Sequence, residues 1–171
     1  LLAQSIRSYV AADPKQAENF LRTVSGAADT PHSVEAYVEA FTQYDPEEAA
    51  AWLGALSADD LLYRPEHARI LIEEWSQTDS VAASAWLREK AEGPERDAAI
   101  SGFAQTMITF EPGVVAAWAN TVSEPKARLK LLDQSITEWA KTDPISALEW
   151  VKTADIEPVL RDALANEIGA D

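Results

Sequence analysis

Asp45-Pro46-Glu47-Glu48-Ala49-Ala50-Ala51-Trp52-Leu53 is echoed further along the chain by Asp143-Pro144-Ile145-Ser146-Ala147-Leu148-Glu149-Trp150-Val151. In both stretches an acidic residue and a proline precede an alanine four places, and a tryptophan seven places, after the acid. Between them the same frame recurs at Asp79 and Glu111, and before them at Asp13. The aromatic at place seven then reads Phe20, Trp52, Trp86, Trp118, Trp150, in steps of 32, 34, 32 and 32 residues. A second ladder, Tyr9, Phe41, Trp75, Met107, Trp139, keeps the same steps four residues before each acid. A fixed period of this size belongs to stacked supersecondary units, each burying its apolar face on the next.

The acid and the proline define where helices start. Proline is tolerated in the first turn, where its missing N–H has no helical partner. The preceding carboxylate accepts first-turn N–H groups and meets the positive end of the helix dipole. Gln16 and Glu48, three residues after Asp13 and Asp45, stand where a capping box places them. Pro31, Pro65, Pro94, Pro125 and Pro158 lie between the ladders and open a second helix in each unit. The spacing predicts first helices over 14–25, 46–57, 80–91, 112–122 and 144–154, and second helices over 31–43, 65–77, 94–109, 125–141 and 158–168.

Residues 1–12 read as a second helix without its first, and Met107 is the only methionine. Both ends are therefore expected to be cuts through a longer array. The expected fold is all-α, a right-handed α-α superhelix or solenoid of about five helical hairpins plus an extra N-terminal helix. It forms one repeat domain over 1–171, with units starting near 13, 45, 79, 111 and 143.

Columns at fixed places in the unit are apolar. Ala17, Ala49, Ala83, Val115 and Ala147 stand four after the acid, and Leu21, Leu53, Leu87, Ala119 and Val151 eight after it. With the aromatics they form one helical stripe. In the second helices Ile6, Val38, Ile72, Ala104 and Ile136 form one column, and Leu2, Val34, Ala68, Ile100 and Leu132 another. The tryptophans Trp52, Trp75, Trp86, Trp118, Trp139 and Trp150 are expected to be the anchors of this packing, since large aromatics in repeated columns are core first. The two extra residues of the second unit fit its longer connection, Ser57 to Arg64.

The Asp45-to-Leu53 stretch resembles the join between tetratricopeptide repeats, where an Asp-Pro ending one unit is followed by a small residue and an aromatic in the next first helix. Ala36 and Ala68, sixteen residues after Phe20 and Trp52, match the small residue that family carries in its second helix. That place is Gly102, Gln134 and Asn166 in later units, and the dominant step is 32 against about 34 in the family. The resemblance implies a scaffold whose concave surface holds a peptide or protein segment, with no chemistry of its own. The family's carboxylate-binding basic clamp has no counterpart here.

Charge and composition narrow the function further. The chain carries 14 basic and 29 acidic residues, a formal charge of −15, with the cations spread from Arg7 to Arg161. Such a balance repels a phosphate backbone, so no nucleic-acid partner is expected, and a protein or peptide partner would be basic or apolar. There is no cysteine, no apolar run long enough to cross a membrane and no signal-like segment. A soluble chain of the cytoplasm or periplasm is expected.

No nucleophile elbow, phosphate loop or HExxH spacing occurs, so no catalytic residue, cofactor or metal is assigned. His32 and His67 read as surface or cap-region residues, and Asp59-Asp60 and Glu73-Glu74 as solvated charge. Arg64, Arg96 and Arg128, spaced 32 and 32, are the candidate binding residues. As a row on one edge they could grip an acidic group, although local pairing at the ends of the preceding helices is the stronger reading. The expected function is a non-catalytic scaffold for protein or peptide binding, with self-association through end units as a second kind of contact. The alternative is a helical accessory region of a larger enzyme or envelope protein whose active domain lies outside this stretch.

Overall fold

A computed structural model describes residues 2–24 and 30–169. The described residues form eleven helices: α1 Leu2–Ala12, α2 Pro14–Val24, α3 Thr30–Tyr44, α4 Pro46–Ala55, α5 His67–Thr78, α6 Ser80–Glu89, α7 Pro94–Met107, α8 Pro112–Ala119, α9 Pro125–Thr142, α10 Pro144–Thr153 and α11 Pro158–Ile168. The even-numbered helices are the expected first helices and the odd-numbered ones the second. The expected end of the earliest first helix, at residue 25, lies outside the described residues.

Helices that are neighbours in sequence pack on each other throughout. Second helices also pack on second helices, α1 on α3, α3 on α5 and α5 on α7, with lighter contact from α7 to α9 and from α9 to α11. Successive first helices make no comparable contact among the described residues. Both first-helix columns are buried, Ala17, Ala49, Ala83, Val115 and Ala147 together with Leu21, Leu53, Leu87, Ala119 and Val151. The second-helix columns are buried as well from Ile6 and Val34 onward. Fully burying one such aliphatic side chain contributes on the order of 1.5–3 kcal/mol, which makes this stripe the main source of cohesion.

The join between units is a single residue. Asp13, Asp45, Asp79, Glu111 and Asp143 each donate their N–H back to the ladder residue four places earlier, at 2.8 Å in every case. The same residue's carbonyl accepts the first bond of the next helix, as from Ala49 to Asp45 at 2.9 Å. Asp45 is extended, at φ −151° and ψ 96°, and its carboxylate accepts from the N–H of Glu48. Asp79 and Asp143 cap Ala82 and Ser146 in the same way. Proline after the acid disfavours helical backbone at the acid itself, which turns the chain there.

Four expectations need correction. Glu111 makes no capping bond to its helix, whereas the Glu124 carboxylate caps α9 by accepting from the N–H groups of Lys126 and Ala127. The capping box is half-formed: the N–H that Gln16 would accept is already given to Tyr9, and the Gln16 amide donates to the Asp13 carboxylate at 3.0 Å instead. Pro65 does not open α5, which starts at His67: the N–H groups of His67, Ala68 and Arg69 donate three residues back, to the carbonyls of Arg64, Pro65 and Glu66, in a tight turn that leads into the helix. His67 is buried rather than superficial.

The second helices do not approach each other evenly. A β-carbon at Gly102 would lie 2.2 Å from the Arg69 carbonyl oxygen and 3.1 Å from the Glu73 nitrogen, so α7 meets the backbone of α5 directly. Gln134 holds the equivalent place in α9, and a side chain of that size keeps helix backbones apart. A crevice of about 690 Å³, lined by Gln134, Ser101 and Gln105 among others, separates α7 from α9. The apolar interior divides at the same point. One cluster runs from Ile6 to Val122 and the other from Ala116 to Ile168, and Leu131 packs against both.

Candidate binding surfaces

The aromatic ladders sit at the boundary between core and surface. Trp75 is buried, whereas Trp52, Trp86, Trp118, Trp139 and Trp150 keep part of their rings exposed. Members of the two ladders face each other across the corners, Tyr9 with Phe20 at 5.4 Å and Trp139 with Trp150 at 6.4 Å between ring centres. Trp52 stands edge-on to the buried Tyr37 at 4.9 Å, and its indole N–H is buried without an acceptor. Burial is also the main reason the Tyr37 hydroxyl is pushed well above the usual tyrosine range.

Polar side chains tie each unit to the next. Arg7 pairs with Glu39 at 2.7 Å, Gln43 donates to Glu74 at 2.8 Å, and the Trp118 indole donates to Ser84 at 3.1 Å. Glu95 accepts from the Tyr63 hydroxyl of the preceding unit at 2.9 Å and from Lys90 of its own unit at 2.7 Å. Burial, and then the bond to Glu95, push the Tyr63 hydroxyl up to about 12. The Asp97 carboxylate accepts from the N–H groups of Ser123 and Glu124 ahead of α9.

The three candidate arginines share a place in the repeat but not an environment. Arg64 is exposed and donates to the carbonyl of its own neighbour Tyr63 at 2.7 Å. Arg96 lies over the Trp118 ring at 5.6 Å and donates to the Thr121 hydroxyl at 2.9 Å, with Glu92 at 3.6 Å. Its guanidinium stacking is thus used within the chain. Arg128 is partly buried.

The paired carboxylates are similarly placed. Asp60 receives Arg22 at 3.1 Å and the Leu62 N–H at 2.9 Å, and Glu73 pairs with Arg69. His32 is exposed. His67 has a buried Nδ1 without a partner, and burial first, then the nearby Arg64 charge, lower it to about 4.

Sequence reasoning missed two adjoining crevices on the first-helix side, left open because α2, α4 and α6 do not close on one another. The first, about 380 Å³, lies between α2 and α4 over Tyr37, Phe41 and Trp52, with Tyr44, Glu18 and Glu48 at its edge. The second, about 500 Å³, lies between α4 and α6 over Trp75 and Trp86, with Glu47 and Glu89. Ala51 lines both, and it is exposed. The available signal was the run Ala49-Ala50-Ala51 next to the tryptophan ladder, since small residues on a helix keep the surface low beside large ones.

Among the described residues no group of three or more His, Cys, Asp or Glu side chains could hold a metal ion, and no helix is long and apolar enough to cross a membrane. No protein-family model matches the chain, and comparison with curated proteins and with solved structures found no significant match.

Proposed function

We propose that the helical hairpins wind as a right-handed α-α superhelix, a tetratricopeptide-like solenoid. Its function is that of a non-catalytic scaffold binding a protein or peptide segment. Direct hydrogen bonds and ion pairs between residues about one repeat apart, from Arg7–Glu39 to Trp118–Ser84, support a regular stack of units. The single observation that carries the binding role is the pair of crevices that share Ala51 in their linings, which places aromatic floors on both sides of α4 between successive first helices. A chain segment fits such a shape, because its length can follow the stack while its side chains drop between helices.

A binding role also accounts for the polar groups better than a catalytic one. Members of the adjacent carboxylate pairs stabilise turns and helices: Asp60 holds Arg22 and Glu74 holds Gln43. Selection of a random peptide display library on the immobilised protein tests the role, with an unrelated protein of matched acidity as counter-selection. The expected outcome is a recurrent motif with saturable binding. Failure of any clone to enrich over the acidic control would refute the scaffold.

A further inference from the structure

We infer that the adjoining crevices over α2, α4 and α6 take an extended peptide segment with arginine or lysine side chains about three residues apart. This rests on the scaffold reading and adds the chemistry of the partner. Three surfaces compete for a ligand, and their charge decides between them; a crevice of about 400 Å³ beside α9 and α11 is lined by one cation and one carboxylate, Lys141 and Glu167, and so selects no sign. The α7–α9 crevice is lined by Lys130 and Lys141 as well as Asp133 and Glu138, so it selects no sign. The α2–α4–α6 surface has Asp13, Glu18, Glu47, Glu48 and Glu89 at its borders against Lys15 alone.

Not all those carboxylates are free to bind. Asp13 caps the first turn of α2 through Lys15 and Gln16, and Glu18 holds Arg22 at 2.7 Å. Glu47, Glu48 and Glu89 are exposed and form no ion pair among the described residues. They border the aromatic floor: Glu48 with Trp52 and Tyr44, Glu47 and Glu89 with Trp86. An aliphatic stem lying on an aromatic ring with its charged head at a carboxylate is how arginine and lysine side chains bridge apolar and charged surface. The protein already uses this arrangement internally, with Lys90 over Trp86 at 4.3 Å from the ring centre and Glu95 receiving its ammonium.

The spacing follows from the fold. The floors of the two crevices come from α3 (Tyr37, Phe41) and α5 (Trp75), which pack on each other; packed helices stand about 8–10 Å apart and extended chain advances about 3.3 Å per residue, so cations over adjacent floors are separated by about three residues. The intervening side chains pass over Ala51, the small exposed residue that lines both crevices.

Fluorescence polarisation with a labelled peptide carrying arginine at every third position among alanine and leucine tests this, with a glutamate-for-arginine peptide as control. Ala51→Trp fills the junction from an exposed site, and the triple variant Glu47→Gln, Glu48→Gln, Glu89→Gln removes the free charges. Unchanged circular dichroism and melting temperature establish that each variant is folded. The arginine peptide should bind, weaken at least about tenfold on either variant, and lose affinity as salt rises; the glutamate peptide should not bind. Equal binding by the variants would overturn the assignment while leaving a scaffold that binds elsewhere. Library-selected peptides that bind while the arginine peptide does not would overturn the charge assignment alone. No binding by peptides of either kind would remove both this assignment and the scaffold.

Discussion

Replacing glycine with alanine at four positions should give four different results. In a helix interior the exchange by itself favours folding by up to about 1 kcal/mol, because glycine has more backbone freedom to lose. At Gly54 the added methyl meets only the Lys90 Nζ at 3.8 Å, so Gly54→Ala should stabilise by a few tenths to about 1 kcal/mol. At Gly102 the methyl falls 2.2 Å from the carbonyl oxygen and 3.0 Å from the carbonyl carbon of Arg69. Backbone atoms cannot rotate aside, so α5 and α7 must separate along the contact that carries Leu71, Ile72, Ile100 and Phe103 in the core. Overpacking costs about 1–3 kcal/mol, and relief by separating backbones belongs at the upper end, so Gly102→Ala should lose roughly 2 kcal/mol after the propensity gain.

Gly113 is intermediate, since its methyl would meet the Trp139 ring at 2.8 Å and a side chain can shift. Gly93 has open space around it but φ of +146°, so Gly93→Ala should destabilise through backbone strain of about 1–3 kcal/mol. Urea denaturation read by tryptophan fluorescence ranks the four. A Gly102→Ala protein as stable as Gly54→Ala would refute the backbone-to-backbone contact of α5 and α7.

His67 provides a pH test. Its folded value, about 4, lies below the ordinary 6.5, so the unfolded chain binds the extra proton between them. Stability should therefore be complete above about pH 7 and fall as pH drops from about 6.5 toward 4, by about 2–3 kcal/mol in this window. His67→Leu should flatten that leg relative to wild type, and parallel curves would count against a neutral buried imidazole. At the corners, Asp45→Ala should cost about 1 kcal/mol through the lost cap, whereas Glu111→Ala, which removes no capping bond, should leave the urea midpoint nearly unchanged. Equal losses at the two positions would contradict the difference between their caps.

The helices were legible because the two periodicities agree: acid and proline mark starts at the same steps at which the apolar columns repeat. Every described member of those columns is buried. The opening between α7 and α9 was written only as Gln134 in a small residue's place, a signal whose size depends on how closely backbones approach. Burial of His67 arises from the fold of its connection, where Leu62 is also buried, and no periodicity reports on an insertion of that kind. The crevices were hidden for a related reason. Ladder tryptophans read as interior, yet all but Trp75 keep part of their surface exposed, and the gaps between α2, α4 and α6 give some of it access to a ligand.

The one-residue corner has a consequence for how chains of this design change length. Because the N–H of Asp45 ends the bonding of α3 and its carbonyl begins that of α4, a residue inserted there would separate the two bonds and displace the apolar stripe of the next helix from its partner. Insertions should be tolerated instead inside a hairpin, as the longer second unit already illustrates between Ser57 and Glu66. Whole hairpins, in contrast, can be added or deleted by cutting at successive Asp-Pro joins, since each cut reproduces the same phase. The array can therefore grow by duplication of a unit more readily than by the small insertions and deletions that reshape most surfaces.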